Sequence, residues 1–156
     1  MNFLKKELKI NIAGLFFVGF FAILINQYYG NQGLFPHDSL SHFETGDRIT
    51  KGIHPFKDFW IVSGPFVDYS QAVIFKIFGI NWNSYVFHAS LINALISCLT
   101  FYIFRSFKLN FIKSLFFSLC FATLAYPSSG TPFVDHHSTF FSLIGFYCVI
   151  LGIKND

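Results

Sequence analysis

Asp38 is the residue of this sequence best placed to act as a base. It lies in a polar run, residues 31–65, that is punctuated by Gly and Pro and carries four of the chain's eight acids. A helix over 39–51, stopped by Gly52, sets His42 and Thr45 on one face with Asp38, at i+4 and i+7. A carboxylate held at such a helix start has the fixed position that proton abstraction requires. Its plainer role is an N-cap that accepts orphan backbone N–H groups. Glu44 with Arg48, and Asp47 with Lys51, are acid-first i,i+4 pairs and read as a solvated helix face.

Two further groups invite chemistry. Lys57 and Asp58 follow His54-Pro55, a turn signal, and the plain reading is a charged pair holding that turn. Lys57 would otherwise serve as the point charge that neutralises a lipid-linked phosphate. Asp135 precedes His136 and His137 at the head of an apolar run, where its plain role is a helix cap. Adjacent histidines on a helix point about 100° apart and the HExxH spacing is absent, so no metal-ligand set is assigned. With His37, His42 and His54 on the same side, a divalent metal stays open as the one conceivable cofactor.

The elements that must position these groups belong to a membrane. The chain is 53% hydrophobic and 12% charged, with 24 Phe in 156 residues, against roughly 25% charged in soluble domains. A net charge of +3 from scattered basic residues excludes a nucleic-acid-binding stripe. The expected fold is all-α and integral to the membrane, one domain over 1–156. Four spans at about 10–28, 82–104, 109–126 and 136–153 are separated by a long first outer loop, 29–81. The exit from the first run, Asn26-Gln27-Tyr28-Tyr29, lacks the small residues of a signal-peptide cleavage site. Tyr28 and Tyr29 then serve as interfacial anchors.

The loop should carry short interfacial helices. Over 65–78, Phe66, Tyr69, Val73 and Ile77 make an apolar stripe, with Pro65 at the start and Gly79 at the stop. This segment should lie in the interface or against the other helices. His88 and Asn93, inside the second span, should face other helices or a cavity. Cys98, Cys120 and Cys148 lie in apolar runs without metal spacing and read as small core residues.

Charge sets the orientation. Lys5, Lys6 and Lys9 precede the first span, Arg105, Lys108 and Lys113 lie between the second and third, and Lys154 follows the fourth. These regions are expected in the cytoplasm, which leaves Asp38, Glu44, Asp47, Asp58, Asp68 and Asp135 on the outer side. The Phe, Ile, Lys and Asn bias points to a low-GC bacterial coding sequence, hence to an inner membrane with its active face periplasmic.

The order of these pieces carries a resemblance. After a first span come Asp38, then Gly52-Ile53-His54-Pro55-Phe56-Lys57-Asp58, then Gly64-Pro65 opening a helix that closes on Phe78-Gly79. This resembles the amino-terminal part of the GT-C membrane glycosyltransferases, in particular their ArnT-like and dolichyl-phosphate-mannose-protein mannosyltransferase-like branch. The resemblance implies transfer of a sugar from a polyprenyl-phosphate donor to a lipid, glycan or protein acceptor at the outer face, among membrane lipids. It implies Asp38 as the catalytic base that takes the acceptor's proton, with inversion. It places a second acid where Asp135 stands; beside Asp135, the residues Lys57, Asp58, His42 and His137 are this sequence's substrate-binding candidates. This chain has one acid in His37-Asp38-Ser39 where some members have two, and Gly64 where several have Lys. It covers only the beginning of such a protein, so it reads as the amino-terminal portion of a larger enzyme. Two other classes fit the same residues: a noncatalytic accessory or truncated membrane protein in which the acids cap helices, and a small transporter working through His88, Asn93 and the outer histidines.

Overall fold

The computed structural model describes residues 2–33 and 40–155. Among them the chain is all-helical: α1 (Asn2–Gly30), α2 (Ser41–Thr50), α3 (Phe66–Phe78), α4 (Trp82–Ser106), α5 (Phe111–Leu124) and α6 (Val134–Asn155). Three stretches are long and apolar enough to cross a membrane, Glu7–Gly30, Trp82–Ser106 and Val134–Lys154. Where the sequence predicts four spans, α5 has only 14 residues, about 21 Å at the helical rise. Asn110 fixes its start by accepting the Lys113 N–H at 2.8 Å, and the chain leaves the helix ahead of Pro127, as the residues before a proline favour.

Helix α1 runs antiparallel to α4 and α6, which run parallel to each other. At one end Arg105 Nε donates to Asn11 Oδ1 at 2.8 Å, and Lys154 Nζ reaches the Ser106 carbonyl. At the other, Trp82 Nε1 donates to the Gly30 carbonyl at 3.0 Å and Asn26 Nδ2 donates to the Gly130 carbonyl at 3.2 Å. The path through α5 therefore carries the chain back from the first end to the second.

Small residues and buried amides hold these helices together, as expected where lipid supplies little hydrophobic drive between helices. Ala22, Ala94 and Ala122 meet between α1, α4 and α5. Asn93, fully buried, donates to the Ala22 and Ala122 carbonyls at 3.2 and 2.9 Å. Gly30 and Gly130 touch: a Cβ on Gly130, whose φ is +68°, would lie 2.5 Å from the Gly30 Cα. A second cluster packs Ala89 and Ile96 of α4 against Tyr126 and Phe140.

Helix α2 buries His42, Thr45, Gly46 and Ile49, the i, i+3, i+4, i+7 pattern of one helical face. Its other face carries the Glu44–Arg48 and Asp47–Lys51 pairs at 2.5 and 2.7 Å, as the spacing predicts. Gly52 follows with φ +81°. Leu40, not Asp38, occupies the N-cap of α2, because the helix starts two residues later than 39; Asp38 itself lies outside the described residues. Helix α3, between Pro65 at its N-cap and Gly79 at its C-cap, packs on α2 and α4. The three cysteines are free: Cys98 and Cys120 are half-buried and Cys148 is exposed, so Cys148 is not the core residue its apolar run suggests.

Candidate functional site

The site begins with what α3 hides. Val67, Asp68, Gln71, Ala72 and Phe75 form its buried face, which places a carboxylate and a carboxamide inward, one turn apart. Burying polar groups is costly unless each finds a partner. Asp68, 1% exposed, meets His42 of α2, with 2.7 Å between Oδ1 and Nδ1. Gln71, fully buried, meets His88 of α4, with 2.9 Å between Oε1 and Nδ1. Gly46 makes room for this arrangement, since a Cβ there would stand 2.9 Å from the Gln71 Cγ.

The polar line continues past His88. Its Nε2 lies 3.3 Å from Nε2 of His137 on α6, and His137 Nδ1 lies 2.9 Å from the Phe133 carbonyl and 2.8 Å from the Tyr126 hydroxyl. That hydroxyl accepts the Phe133 N–H at 3.0 Å. A carbonyl only accepts, so Nδ1 of His137 carries the proton and its Nε2 is the acceptor for His88. His88 Nδ1 is then an acceptor too, and half a turn of the Gln71 carboxamide gives it an N–H. The same half turn finds a partner for Gln71 Nε2, otherwise buried without one. Neutral groups thus satisfy all four ring nitrogens.

A cavity of about 600 Å³ lies at the end of the helices where Gly30 meets Gly130. One wall is α2 and α3, presenting His42, Arg48 and Asp68; the other is the head of α6, presenting Asp135. Trp60 and Val62 lie along the lip between them. Asp68 holds His42 at Nδ1, and Nε2 has no partner among the described residues, an arrangement that orients a ring for proton transfer. Arg48 is held by Glu44 at 2.5 Å and lies 5.1 Å above the Phe59 ring, which fixes a cation at the rim. Asp135 sits in the first turn of α6 rather than at its cap, exposed, and its carboxylate makes no hydrogen bond among the described residues.

The predicted residues divide accordingly. His42 and Asp135 share the cavity. His137 is buried behind it, 1% exposed, in the line to His88. Lys57 and Asp58 stand apart in the 54–59 turn, outside the cavity lining. Asp58 closes that turn, its carboxylate accepting the His54 N–H at 2.7 Å and its own N–H donating to the His54 carbonyl at 2.9 Å, and the Phe56 N–H donates to the Phe59 carbonyl at 2.8 Å. Asp38 is outside the described residues, three positions before Ser41, a cavity residue. Among the described residues no group of three His, Cys, Asp or Glu could hold a metal ion.

Asp68, Gln71, Arg48 and Tyr126 are the members that sequence reasoning passed over as site residues. A signal existed for the first two: over 66–78 the stripe opposite Phe66, Tyr69, Val73 and Ile77 contains Asp68 and Gln71, polar groups that an apolar-in reading assigns to water. No family model, curated protein or solved structure matches the chain.

Proposed function

We propose that the chain transfers a sugar from a polyprenyl-phosphate donor to a lipid, glycan or protein acceptor at the outer face of a bacterial inner membrane, as a GT-C-like glycosyltransferase. The observation that supports it most is the cavity at the Gly30–Gly130 end, with a His42–Asp68 pair on one wall and Asp135 on the other. A transferase of this kind has to bind a charged headgroup and a proton-losing hydroxyl together, at the level where lipid ends and water begins. Lys5, Lys6, Lys9, Arg105, Lys108, Lys113 and Lys154 lie toward the opposite end, which suits a cytoplasmic face there. In this topology the α5 segment makes the fourth crossing, its short helix extended by its linkers.

In the proposed reaction the acceptor oxygen attacks the anomeric carbon and its proton passes to Asp38. The bond from that carbon to the donor phosphate oxygen breaks, and the phosphate leaves with the electron pair. The arrangement inverts the anomeric centre. Asp135 orients the sugar or acceptor hydroxyls, and Arg48 faces the departing charge. His42, with Nδ1 held by Asp68, positions the acceptor through Nε2. The deciding experiment is transfer from polyprenyl-phosphate sugars in membranes carrying the wild-type chain or Asp38→Asn. Loss of transfer at unchanged protein level is expected; transfer retained by Asp38→Asn would remove Asp38 from the chemistry.

A further inference from the structure

Helix α6 is fastened at its head by a histidine. Among its described residues only His137 and Phe140 are buried. Phe140 joins the apolar cluster with Ala89, Ile96 and Tyr126, and His137 makes the polar contact, its Nε2 lying 3.3 Å from Nε2 of His88. Toward the other end Tyr147 meets Thr100 at 3.4 Å and Lys154 reaches Ser106, so that end stays attached when the head is freed.

Two imidazole rings have four nitrogens, and the number of protons they share decides whether the contact holds. With two protons both rings are neutral: the Gln71 carboxamide turns an N–H to His88 Nδ1, and the His88 Nε2–H donates to His137 Nε2. With three, Gln71 turns Oε1 to His88 Nδ1, 2.9 Å away, and accepts from it. The His88 Nε2–H still donates to His137, whose Nδ1–H donates to the Phe133 carbonyl at 2.9 Å. One carboxamide thus serves both counts by half a turn. A fourth proton sets N–H against N–H on two cationic rings, and no turn of Gln71 relieves that.

The surrounding groups act on the same count. His42 of α2 is within electrostatic reach of both rings, and Asp68 of α3 is held by it at 2.7 Å. Tyr85 lies one turn before His88 on α4, and the Tyr126 hydroxyl is 2.8 Å from His137 Nδ1; tyrosines stay neutral below their ordinary value of about 10. On α6 itself stand Asp135 and His136. The two acids favour the third proton, and the two flanking histidines oppose the fourth.

We propose that His88 and His137 form a proton-binding latch, which takes up one proton with its contact intact and releases the head of α6 on the second. Gln71 and Asp68 share α3, and Asp135 heads α6, so release moves the two walls of the cavity apart. Acid then opens the cavity at the wall that carries His137. The latch is the same whatever group the cavity takes.

The test uses the full chain in detergent micelles, with its histidines isotope-labelled at the ring nitrogens, titrated from about pH 8, above the ordinary range of histidine, down to unfolding. Nuclear magnetic resonance reads the nitrogen–nitrogen coupling across a hydrogen bond, and that coupling itself identifies the two rings among the six histidines. A coupling between Nε2 of His88 and Nε2 of His137 is expected at the start. It should survive the first protonation, which shifts both rings together, and vanish with the second. Spin labels at Val73→Cys on α3 and Ser138→Cys on α6, with Cys98, Cys120 and Cys148 replaced by Ala, should move apart at the second step and not at the first. Gln71→Glu places a carboxylate at His88 Nδ1 and should raise the midpoint of the first step by about 1–3 pH units. Should the cysteine-free chain fold poorly, the wild-type coupling decides alone. No coupling at any pH, separate titration of the two rings, neutrality of both down to unfolding, or an unchanged label distance at the second step would each overturn the latch.

Discussion

Cutting the His42–Asp68 contact separates a positioned pair from two residues that happen to be close. Both side chains are buried, at 7 and 2% exposure, with 2.7 Å between Nδ1 and Oδ1. His42→Ala strands a carboxyl group that sits among Val67, Gln71 and Phe75 of its own helix, and removing one member of a buried pair costs about 3–5 kcal/mol. Asp68→Ala leaves an imidazole with an unsatisfied nitrogen, a loss of about 1–3 kcal/mol. The His42→Ala variant should therefore be the less stable of the two. The double variant removes both polar groups at once and should lose less than the sum, by about 1–3 kcal/mol, within the range of coupling seen for contacting residues. Denaturant unfolding of the four proteins in one detergent, followed by circular dichroism, reads all three quantities. Additivity within about 0.5 kcal/mol would mean that the pair does not exist as a unit.

Other contacts give equally direct expectations. Gly130→Ala combines a Cβ at 2.5 Å from the Gly30 Cα with a φ of +68°; strain of about 1–3 kcal/mol from the backbone should add to the overlap, and the melting temperature in detergent should fall well below that of Gly33→Ala, where a Cβ meets nothing within 4 Å. Asn93→Leu removes two interhelical bonds, and in a membrane bundle these are worth about 0.6 kcal/mol each, so a loss near 1 kcal/mol is expected in the same unfolding assay. Asp135→Asn should leave stability within about 0.5 kcal/mol, as surface substitutions do, while lowering transfer in vesicles. A matched drop in folded protein would make Asp135 a structural residue.

Periodicity and punctuation carry the helices of this chain, and chemistry carries the rest less far. Gly52, Pro65 and Gly79 mark the ends of α2 and α3 because a positive φ, or a missing N–H, has few substitutes. Charge spacing fixes the two ion pairs on α2 because i and i+4 are neighbours in any α-helix. The length of α5 is not so marked: residues 109–126 are uniformly apolar, and the helix stops at Leu124 because of Pro127 rather than any change in hydropathy. The inward turn of Asp68 and Gln71 is hidden for a different reason. In water the polar stripe of an amphipathic helix faces out, and in lipid the rule reverses, so the same periodicity supports opposite orientations until the neighbours His42 and His88 are known. Those neighbours lie 26 and 17 positions away in sequence.

The reversal also explains why the polar residues here serve two ends. Helices in lipid gain little by hiding apolar surface from one another, so buried hydrogen bonds and close glycine contacts supply much of what holds them. The line Gln71–His88–His137–Tyr126 runs from α3 through α4 to the head of α6, and these are the two walls of the cavity. Gln71 and Asp68 share one helix, and Phe133, held at both its N–H and its carbonyl, is two residues from Asp135. The tie thus sets the separation of His42–Asp68 from Asp135. A substitution at His88 or His137 is accordingly felt at the cavity without either residue lining it. Loss of transfer in such a variant is no proof of contact with substrate; the groups on which that question can be put cleanly are those with no part in the tie, and Asp135 is the first of them.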